Sequence, residues 1–227
     1  YSEQNWHEAV HNSQSDCISL YIHIPFCDTI CYYCGCNKIV TANRAHAARY
    51  VDYLKQELRH KAQQIGKNKR VEHIHFGGGT PTYLSDAQLT DIMQTLRTEF
   101  HVAEAAELEC AIEIHPQTVD TDRLRALAEM GVNRLSIGIQ DFDPAVQHAV
   151  NRFNSKIEVD ALIKSARQLA YRSISVDLIY GLPRQSAQSF STTLLAVLEL
   201  HPDRVSLFNY AHMPHLFKVQ KQINADE

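Results

Sequence analysis

Four cysteines lie close together near the start of the chain, Cys27, Cys31, Cys34 and Cys36, directly after an extended stretch at residues 20–25. Cysteine thiolates are the ligands that hold iron–sulfur clusters in proteins. The first three are separated by three and then two residues, so one short loop can place them at three corners of a cubic [4Fe-4S] cluster. The fourth iron of such a cluster stays open and can bind a substrate.

The same run has a second interpretation, because four thiolates also suit a tetrahedral structural zinc site. Zinc sites usually take two separated pairs of ligands from two arms of the chain, whereas all four thiols here lie on one loop. The pattern therefore favours a cluster over zinc. Cys36 follows Cys34 after a single residue, which is an awkward position for another ligand of the same cube, so we expect Cys36 to be a nearby free thiol.

The two remaining cysteines are isolated from this loop. Cys17 and Cys110 lie within or near apolar, strand-like stretches, and a free cysteine behaves as a small hydrophobic residue. We therefore predict two buried free thiols rather than a disulfide, which fits a reducing compartment.

A glycine-rich motif at residues 77–81 follows a strand-like stretch that ends at Phe76. Glycines at the C-terminal end of a strand let the backbone approach a ligand closely, and the exposed amides and carbonyls can pair with its amine or carboxylate. A tight turn would explain the glycines alone. Because the cysteine loop follows the preceding strand, however, we expect the two motifs to lie side by side across one βαβ unit.

Strand-like and helix-like stretches alternate along the chain, with short connections between them. The expected strands are 19–24, 71–76, 107–114, 133–139, 173–180 and 204–210. The expected helices are 43–64, 85–99, 119–130, 157–170 and 186–199. Such alternation predicts an α/β fold with a parallel sheet and helices outside it, either an open doubly wound sheet or a barrel. Six such strands make a partial barrel.

Each expected strand alternates apolar and polar residues, which places the two kinds on opposite faces. The helices must cover the apolar face, so the polar face, with Tyr21, Glu113, Gln140 and Asp177, points into the barrel. A closed barrel fills its interior with branched apolar side chains, and unpaired buried polar groups are costly. We therefore expect an incompletely closed barrel around a large polar ligand. The alternative is that these residues bond one another in a structural network.

The bulk properties of the chain limit its partners. Its 227 residues suit one α/β domain, and 26 acidic against 22 basic residues provide no basic stripe for nucleic acid. No apolar run is long enough to span a membrane and no signal peptide is recognisable, so we expect a cytoplasmic protein. The chain begins with Tyr1 rather than Met, and residues 225–227 fall in a helix-like run, so we expect both ends to be truncated.

The cysteine spacing together with the glycine motif resembles the radical S-adenosylmethionine (SAM) superfamily. More narrowly, five segments resemble the family of oxygen-independent coproporphyrinogen III oxidases, and the match spans essentially the whole chain. These segments are 21–27, 34–41, 139–142, 177–183 and 208–212. The run that contains Cys36, Asn37 and Lys38 is the specific signature, whereas the glycines alone identify only the superfamily.

The resemblance implies a partial (β/α)6 TIM-like barrel at residues 19–227, preceded by an N-terminal segment at 1–18. It implies a [4Fe-4S] cluster on Cys27, Cys31 and Cys34, and two bound SAM molecules. The first SAM would contact Tyr21, Gly78 and Glu113. The second would be lined by Tyr33, Gly79, Thr80, Gln140, Arg152, Asp177 and Ala211. Members of the family carry a further C-terminal domain, which is absent from these 227 residues.

The activity that the resemblance implies is the oxidative decarboxylation of coproporphyrinogen III to protoporphyrinogen IX in haem biosynthesis. A deoxyadenosyl radical would take a hydrogen atom from each of two propionate side chains. A reductase would donate electrons to a monomeric enzyme, and an unidentified acceptor would take the final electron. Two alternatives stay open: a haem-binding relative without oxidase activity, which would usually lack Cys36 and the residues at 37–39, and an inactive fragment.

Overall fold

The fold is built around one parallel sheet. The computed structural model describes residues 2–224, so the helix-like run expected at 225–227 lies outside the described residues. The strands are β1 (Cys17–Ile24), β2 (Phe26–Cys27), β3 (Ile39–Val40), β4 (Arg70–Gly78), β5 (His101–Val102), β6 (Glu109–Ile114), β7 (Arg134–Gln140), β8 (Ser173–Tyr180) and β9 (Arg204–Asn209). The helices are α1 (Glu3–Asn12), α2 (Ala45–Ile65), α3 (Asp86–Glu99), α4 (Thr121–Met130), α5 (Pro144–Val150), α6 (Lys156–Gln168) and α7 (Ala187–Glu199).

The long strands follow the order β1-β4-β6-β7-β8-β9, and every neighbouring pair is parallel. The short β5 pairs with β4, and β2 and β3 form a separate small sheet. Over the described residues β1 and β9 stay at opposite edges of the sheet, so the barrel is open. The predicted partial barrel of six parallel strands is therefore confirmed.

The helices begin and end where local hydrogen bonding dictates. Ser85 and Gln88 form a reciprocal capping box at the start of α3, and the Asp120 side chain caps α4. Such caps satisfy backbone N–H groups that have no partner within the helix. Gly131 ends α4 in the left-handed conformation with φ of 103°, a conformation that glycine adopts without strain.

The apolar face of the sheet packs under the helices. Ile22, Ile74, Ile112 and Ile137 occupy this face of four neighbouring strands and are almost fully buried. This confirms the face assignment from period-two alternation for these strands. At the edge strand β9 the expectation of a covered apolar face is wrong, because Val205 and Leu207 stay about half exposed (47% and 51%).

The isolated cysteines behave differently from each other. Cys110 is buried in β6, as predicted, whereas the predicted burial of Cys17 is wrong. Cys17 is the first residue of the edge strand β1, where its side chain is exposed to solvent. All six cysteines are free thiols.

Several elements were not expected from the sequence. The pattern assigned no structure to residues 141–156, yet α5 forms there, capped by the Asp143 side chain and ended by Asn151 at a φ of 51°. This short helix directly precedes Arg152.

Within the described residues there is no helix of the length and apolar character needed to cross a bilayer.

We predict that Ile137→Ala destabilises the fold, because Ile137 is fully buried at the centre of the sheet. The free energy of unfolding should fall by about 3 kcal/mol, the usual cost of such a cavity. The matched control is Ile157→Ala in α6, where the side chain is 82% exposed and the expected change is below about 0.5 kcal/mol. Denaturant unfolding of both variants measures the difference, and equal losses would contradict this description of the core.

Candidate functional site

A cavity of about 340 Å³ opens at the C-terminal ends of the strands, under the cysteine loop. Most of the site residues proposed from the sequence line it. These are Cys27, Cys31, Tyr33, Cys34, Gly78, Gly79, Thr80, Glu113, Gln140, Arg152 and Asp177. Tyr21 lies beside the cavity without lining it, and Ala211 lies outside its wall. The structure thus brings residues from six separate stretches of the chain to one place.

The cysteine loop is held at both ends by backbone contacts. Cys27 belongs to β2, which pairs with β3 beyond the loop. In the middle of the loop, Tyr32 N donates to Val150 O at 2.9 Å and Asn151 Nδ2 donates to Ile30 O at 2.7 Å. The unexpected helix α5 therefore acts as a support for the cysteine loop.

The three thiols predicted as cluster ligands are free, and each is only partly exposed on the cavity wall. Burial raises the pKa of Cys27, whereas a hydrogen bond from Cys36 lowers the pKa of Cys34 to about 5. Lys38 lies close to Cys34 and donates to its carbonyl oxygen at 2.9 Å. A thiolate is the form that binds a metal, so these surroundings prepare Cys34 for ligation.

A single metal ion fits this site less well. Across residues 2–224, no three side chains of His, Cys, Asp or Glu are gathered closely enough to hold one ion. The donor set, three free thiols on one wall of a cavity, instead suits a larger group such as an iron–sulfur cluster. Cys36 also lines the cavity, and its thiol bonds Cys34.

The glycine motif packs directly against the cysteine loop. Gly78 has a φ of 122°, and a Cβ atom there would lie 2.7 Å from Ile24 O. A Cβ atom on Gly79 would lie 2.7 Å from Phe26 O and 2.8 Å from Cys27 Sγ. Only glycine fits positions this close to another backbone. The prediction that the two motifs lie side by side is confirmed.

Glu113 is the acidic group next to the glycine motif. Its Oε1 lies 3.0 Å from His75 Nε2, and its Oε2 accepts a hydrogen bond from Gly78 N at 3.2 Å. The Tyr21 ring stacks on the His75 ring with centroids 5.7 Å apart, and its hydroxyl lies 3.3 Å from His23 Nδ1. Tyr21 is thus fixed at the side of the carboxylate rather than inside the cavity.

A cation and a carboxylate face the deeper part of the cavity. Arg152 is almost fully buried: its Nη2 donates to Gly138 O and its Nη1 lies 3.8 Å from Cys31 Sγ. Asp177 accepts a hydrogen bond from Ser136 Oγ at 2.8 Å, and burial raises its pKa. Opposite charges on one cavity wall suit a ligand that carries both an amine and a carboxylate.

Two buried polar atoms at this wall have no hydrogen-bond partner among the described residues, Arg152 Nε and Gln140 Oε1. Buried polar groups in native proteins nearly always have a hydrogen-bond partner, so two such atoms without partners at a cavity indicate a missing ligand or water. This observation separates the two interpretations of the polar face. Glu113 and Asp177 do bond neighbouring side chains, as in a structural network, but Arg152 and Gln140 retain unused bonding capacity.

Ala211 is joined to the cysteine loop through a residue that the sequence did not suggest. Gln220 is 2% exposed, and its Nε2 donates to Tyr33 O at 3.0 Å and to Ala211 O at 3.1 Å. Phe217 packs its ring against Gly35, where a Cβ atom would lie 3.0 Å away. The segment after β9 therefore covers one side of the cysteine loop.

His115 also lines the cavity and was missed, because a single histidine after a strand carries no distinctive spacing. Its Nδ1 accepts a hydrogen bond from Gln117 N at 3.2 Å. Burial, helped by the positive charge of Arg152, lowers the pKa of His115 to about 3. The imidazole is therefore neutral at physiological pH, with its proton on Nε2.

We predict that His115 makes stability depend on pH. The unfolded chain binds a proton at this residue below about pH 6.5, whereas the folded protein does so only near pH 3, so acidification between these values favours unfolding. His115→Asn keeps an acceptor for Gln117 N but cannot be protonated. Denaturant unfolding at pH 6.5 and pH 4.5 should show a smaller loss of stability in the variant, and equal losses would contradict the lowered pKa.

Comparison with known proteins agrees with the fold. The profile of the radical SAM superfamily matches residues 21–197. The chain is 47% identical over 210 residues to the oxygen-independent coproporphyrinogen III oxidase of Pseudomonas aeruginosa. This alignment covers 92% of this chain and 46% of that protein. It is 45% identical over 223 residues to the Escherichia coli protein of the same name, covering 98% and 48%. The chain therefore spans about half the length of the curated relatives it matches.

Solved structures show the same architecture. Coproporphyrinogen III oxidase from Escherichia coli, a radical SAM enzyme, superposes with a TM-score of 0.93 at 45% identity, over 100% of this chain and 51% of that one. The radical SAM methyltransferase TsrM from Kitasatospora setae, at 13% identity and a TM-score of 0.60 over 84% and 35% of the two chains, shares the fold alone. The chain belongs to the radical SAM superfamily, and that membership implies SAM and a [4Fe-4S] cluster as its cofactors.

Proposed function

We propose that this chain is the cofactor-binding barrel of an oxygen-independent coproporphyrinogen III oxidase, which decarboxylates two propionate side chains to form protoporphyrinogen IX. The observation that carries the proposal is the wall formed by Cys36 and Lys38 beside the cluster cysteines. Both residues line the cavity and both contact Cys34. The identity of 41–48% to relatives with this name supports the same activity.

We assign the cluster to Cys27, Cys31 and Cys34, because these three free thiols share the cavity wall. The cluster and SAM would supply the one-electron and radical chemistry of the reaction. The part of the chain itself is to bind, orient and exclude water. Gly78 permits close approach of a ligand to the backbone, and Glu113 places a carboxylate beside it, which suits the amine of a first SAM.

A second SAM is assigned to the deeper part of the cavity, where Tyr33, Gly79, Thr80, Gln140, Arg152 and Asp177 meet. The unpartnered Arg152 Nε and Gln140 Oε1 support this assignment, because a carboxylate and an ammonium group would complete them. Asp177 adds a negative charge for the same ammonium group. Ala211 lies outside the cavity wall, so it would touch only a ligand that extends past Tyr33 toward the end of β9.

The remaining partners follow from the proposed chemistry. Cleavage of each SAM would need one electron, which a reductase would supply. Each propionate would lose a hydrogen atom to the resulting radical, then carbon dioxide and one further electron, which an acceptor would take. We propose a monomer in the cytoplasm, where a reducing environment keeps six free thiols reduced. We propose an N-terminal segment, expected at residues 1–18, before the barrel expected at 19–227, although the first barrel strand β1 already begins at Cys17. A further C-terminal domain would help to enclose the substrate.

We predict that Cys31→Ser abolishes assembly of the cluster, because two thiolates cannot replace three on this wall. After anaerobic reconstitution with iron and sulfide, the variant should lack the visible absorption of the cluster and its bound iron. The matched control is Cys17→Ser, which changes an exposed thiol at the start of β1 and should leave the absorption intact. Full absorption in Cys31→Ser would show that the ligand is wrongly assigned.

We predict that the chain can replace the corresponding half of the Escherichia coli relative, with which it aligns over 98% of its residues. The reconstituted chimera, given reductant, SAM and coproporphyrinogen III, should form the divinyl product detected by chromatography, and its Cys31→Ser form should not. An intact cluster with SAM cleavage but no vinyl product would contradict the oxidase proposal. Stoichiometric haem binding without turnover would instead favour a haem carrier.

A further inference from the structure

The end of β7 contains a strained turn centred on Gln140. This residue has a φ of 71°, in the region that favours glycine, and Asp141 N donates to Ile139 O at 3.0 Å to close a three-residue turn. The pairing of β7 with β8 shifts register at the same point, between Gly138 and Gln140. A three-residue turn with positive φ is rare and strained, and such strain persists only where the surroundings enforce it.

The strained residue is part of the cavity wall. The Gln140 side chain lines it, and Gln140 Oε1 is buried without a partner among the described residues. A Cβ atom on Gly138 would lie 2.9 Å from Gln140 Nε2 and 2.8 Å from Arg152 Nη2. The carboxamide and the guanidinium therefore lie together over the backbone of Gly138, and each side chain keeps one buried polar atom without a partner among the described residues.

Two buried side chains bond the backbone on either side of Gln140. Asn154 Nδ2 donates to Ile139 O at 2.6 Å, and Gln147 Nε2 donates to Asp141 O at 2.9 Å. Gln147 also bonds the backbone of Asn154, through Nε2 to Asn154 O at 2.9 Å and through Oε1 from Asn154 N at 3.4 Å. Gln147 and Asn154 are 7% and 8% exposed, so water does not compete for these bonds.

The Asp141 side chain anchors the C-terminal end of the turn. It is 2% exposed and accepts hydrogen bonds from Thr193 Oγ1 at 2.6 Å, Gln185 Nε2 at 2.6 Å and Asp143 N at 2.8 Å. These donors come from α7, from the loop after β8 and from the start of α5. A buried carboxylate with this many fixed donors has one orientation, so it fixes the position of residue 141 and leaves the conformation at Gln140 to the bonds made to the neighbouring carbonyls.

We propose that Gln147 and Asn154 are positioning residues that hold Gln140 in its strained turn and thereby aim its carboxamide at the ligand in the deeper part of the cavity. The inference rests on the proposed function, because that ligand is the amino-acid end of the second SAM. Because Gln147 also bonds the backbone of Asn154, loss of either side chain lets the turn relax to an ordinary negative φ, and the Gln140 carboxamide leaves its place beside Arg152.

The strain can be tested without any added ligand in the cluster-loaded protein. Gln140→Gly should raise the Tm by about 2 °C, because glycine adopts positive φ without steric cost. In a Gln147→Met background, where the turn has already relaxed, Gln140→Gly should give no increase. An equal increase in both backgrounds would overturn the positioning role of Gln147.

Binding of the ligand is measured by equilibrium dialysis of labelled SAM against the cluster-loaded protein. Two equivalents should bind, and both Gln147→Met and Asn154→Leu should weaken the second at least tenfold while leaving the first unchanged. The matched control is Tyr171→Phe, which removes another buried bond to a backbone carbonyl, from Tyr171 Oη to Leu124 O at 2.8 Å. It should destabilise the fold and leave both equivalents unchanged.

The outcomes separate this inference from the proposed function. Equal weakening of the second equivalent by Tyr171→Phe would overturn the positioning role, because any destabilisation would then suffice. The unchanged protein could bind only one equivalent of SAM while Gln140→Gly raises its Tm and has no effect in the Gln147→Met background. That result would overturn the proposed second SAM and support the positioning role of Gln147.

Discussion

The site depends on how closely the backbone of the glycine motif approaches the chain around Cys27. Gly78 and Gly79 lie so near Ile24 O, Phe26 O and the Cys27 thiol that no Cβ atom could be accommodated. Backbone hydrogen bonds from Gly79 N to Ile24 O and from Thr80 N to Phe26 O close this contact at 2.8 Å each. Because parallel strands end at the same edge, this contact brings thiols and exposed amides to one wall. Every other group of the site is arranged around that wall.

The polar interior of the half-barrel is only partly satisfied by the chain. Glu113 and Asp177 have hydrogen-bond partners on neighbouring strands, which fixes their orientation before any ligand binds. Arg152 and Gln140 keep buried atoms without partners among the described residues. An interior that is preorganised in one part and incomplete in another is what a ligand-binding barrel requires, since the fixed groups orient the ligand and the incomplete ones gain bonds from it.

Support for the site comes from segments with no recognisable motif. The short helix α5 bonds the middle of the cysteine loop through Val150 O, and Gln147 from the same helix bonds the turn at Gln140. Gln220, far along the chain, joins Tyr33 to Ala211. These residues act by bonding backbone groups of other residues rather than by lining the cavity. Their importance therefore depends on where the backbone passes, and residue type alone does not indicate it.

The sequence by itself determined the α/β fold with a parallel sheet, the inward face of most strands and the proximity of the cysteine and glycine motifs. These properties follow from period-two alternation and from short spacings, which act within one element or between adjacent ones. Local pattern was insufficient at the edges: Cys17 is exposed and the apolar face of β9 is uncovered, because burial depends on which neighbour lies above a strand. Only the tertiary structure decided that Gln140 is strained, that Arg152 meets Cys31 and that Gln220 bonds Tyr33, since each contact joins groups that are distant in the chain and depends on the path of the backbone.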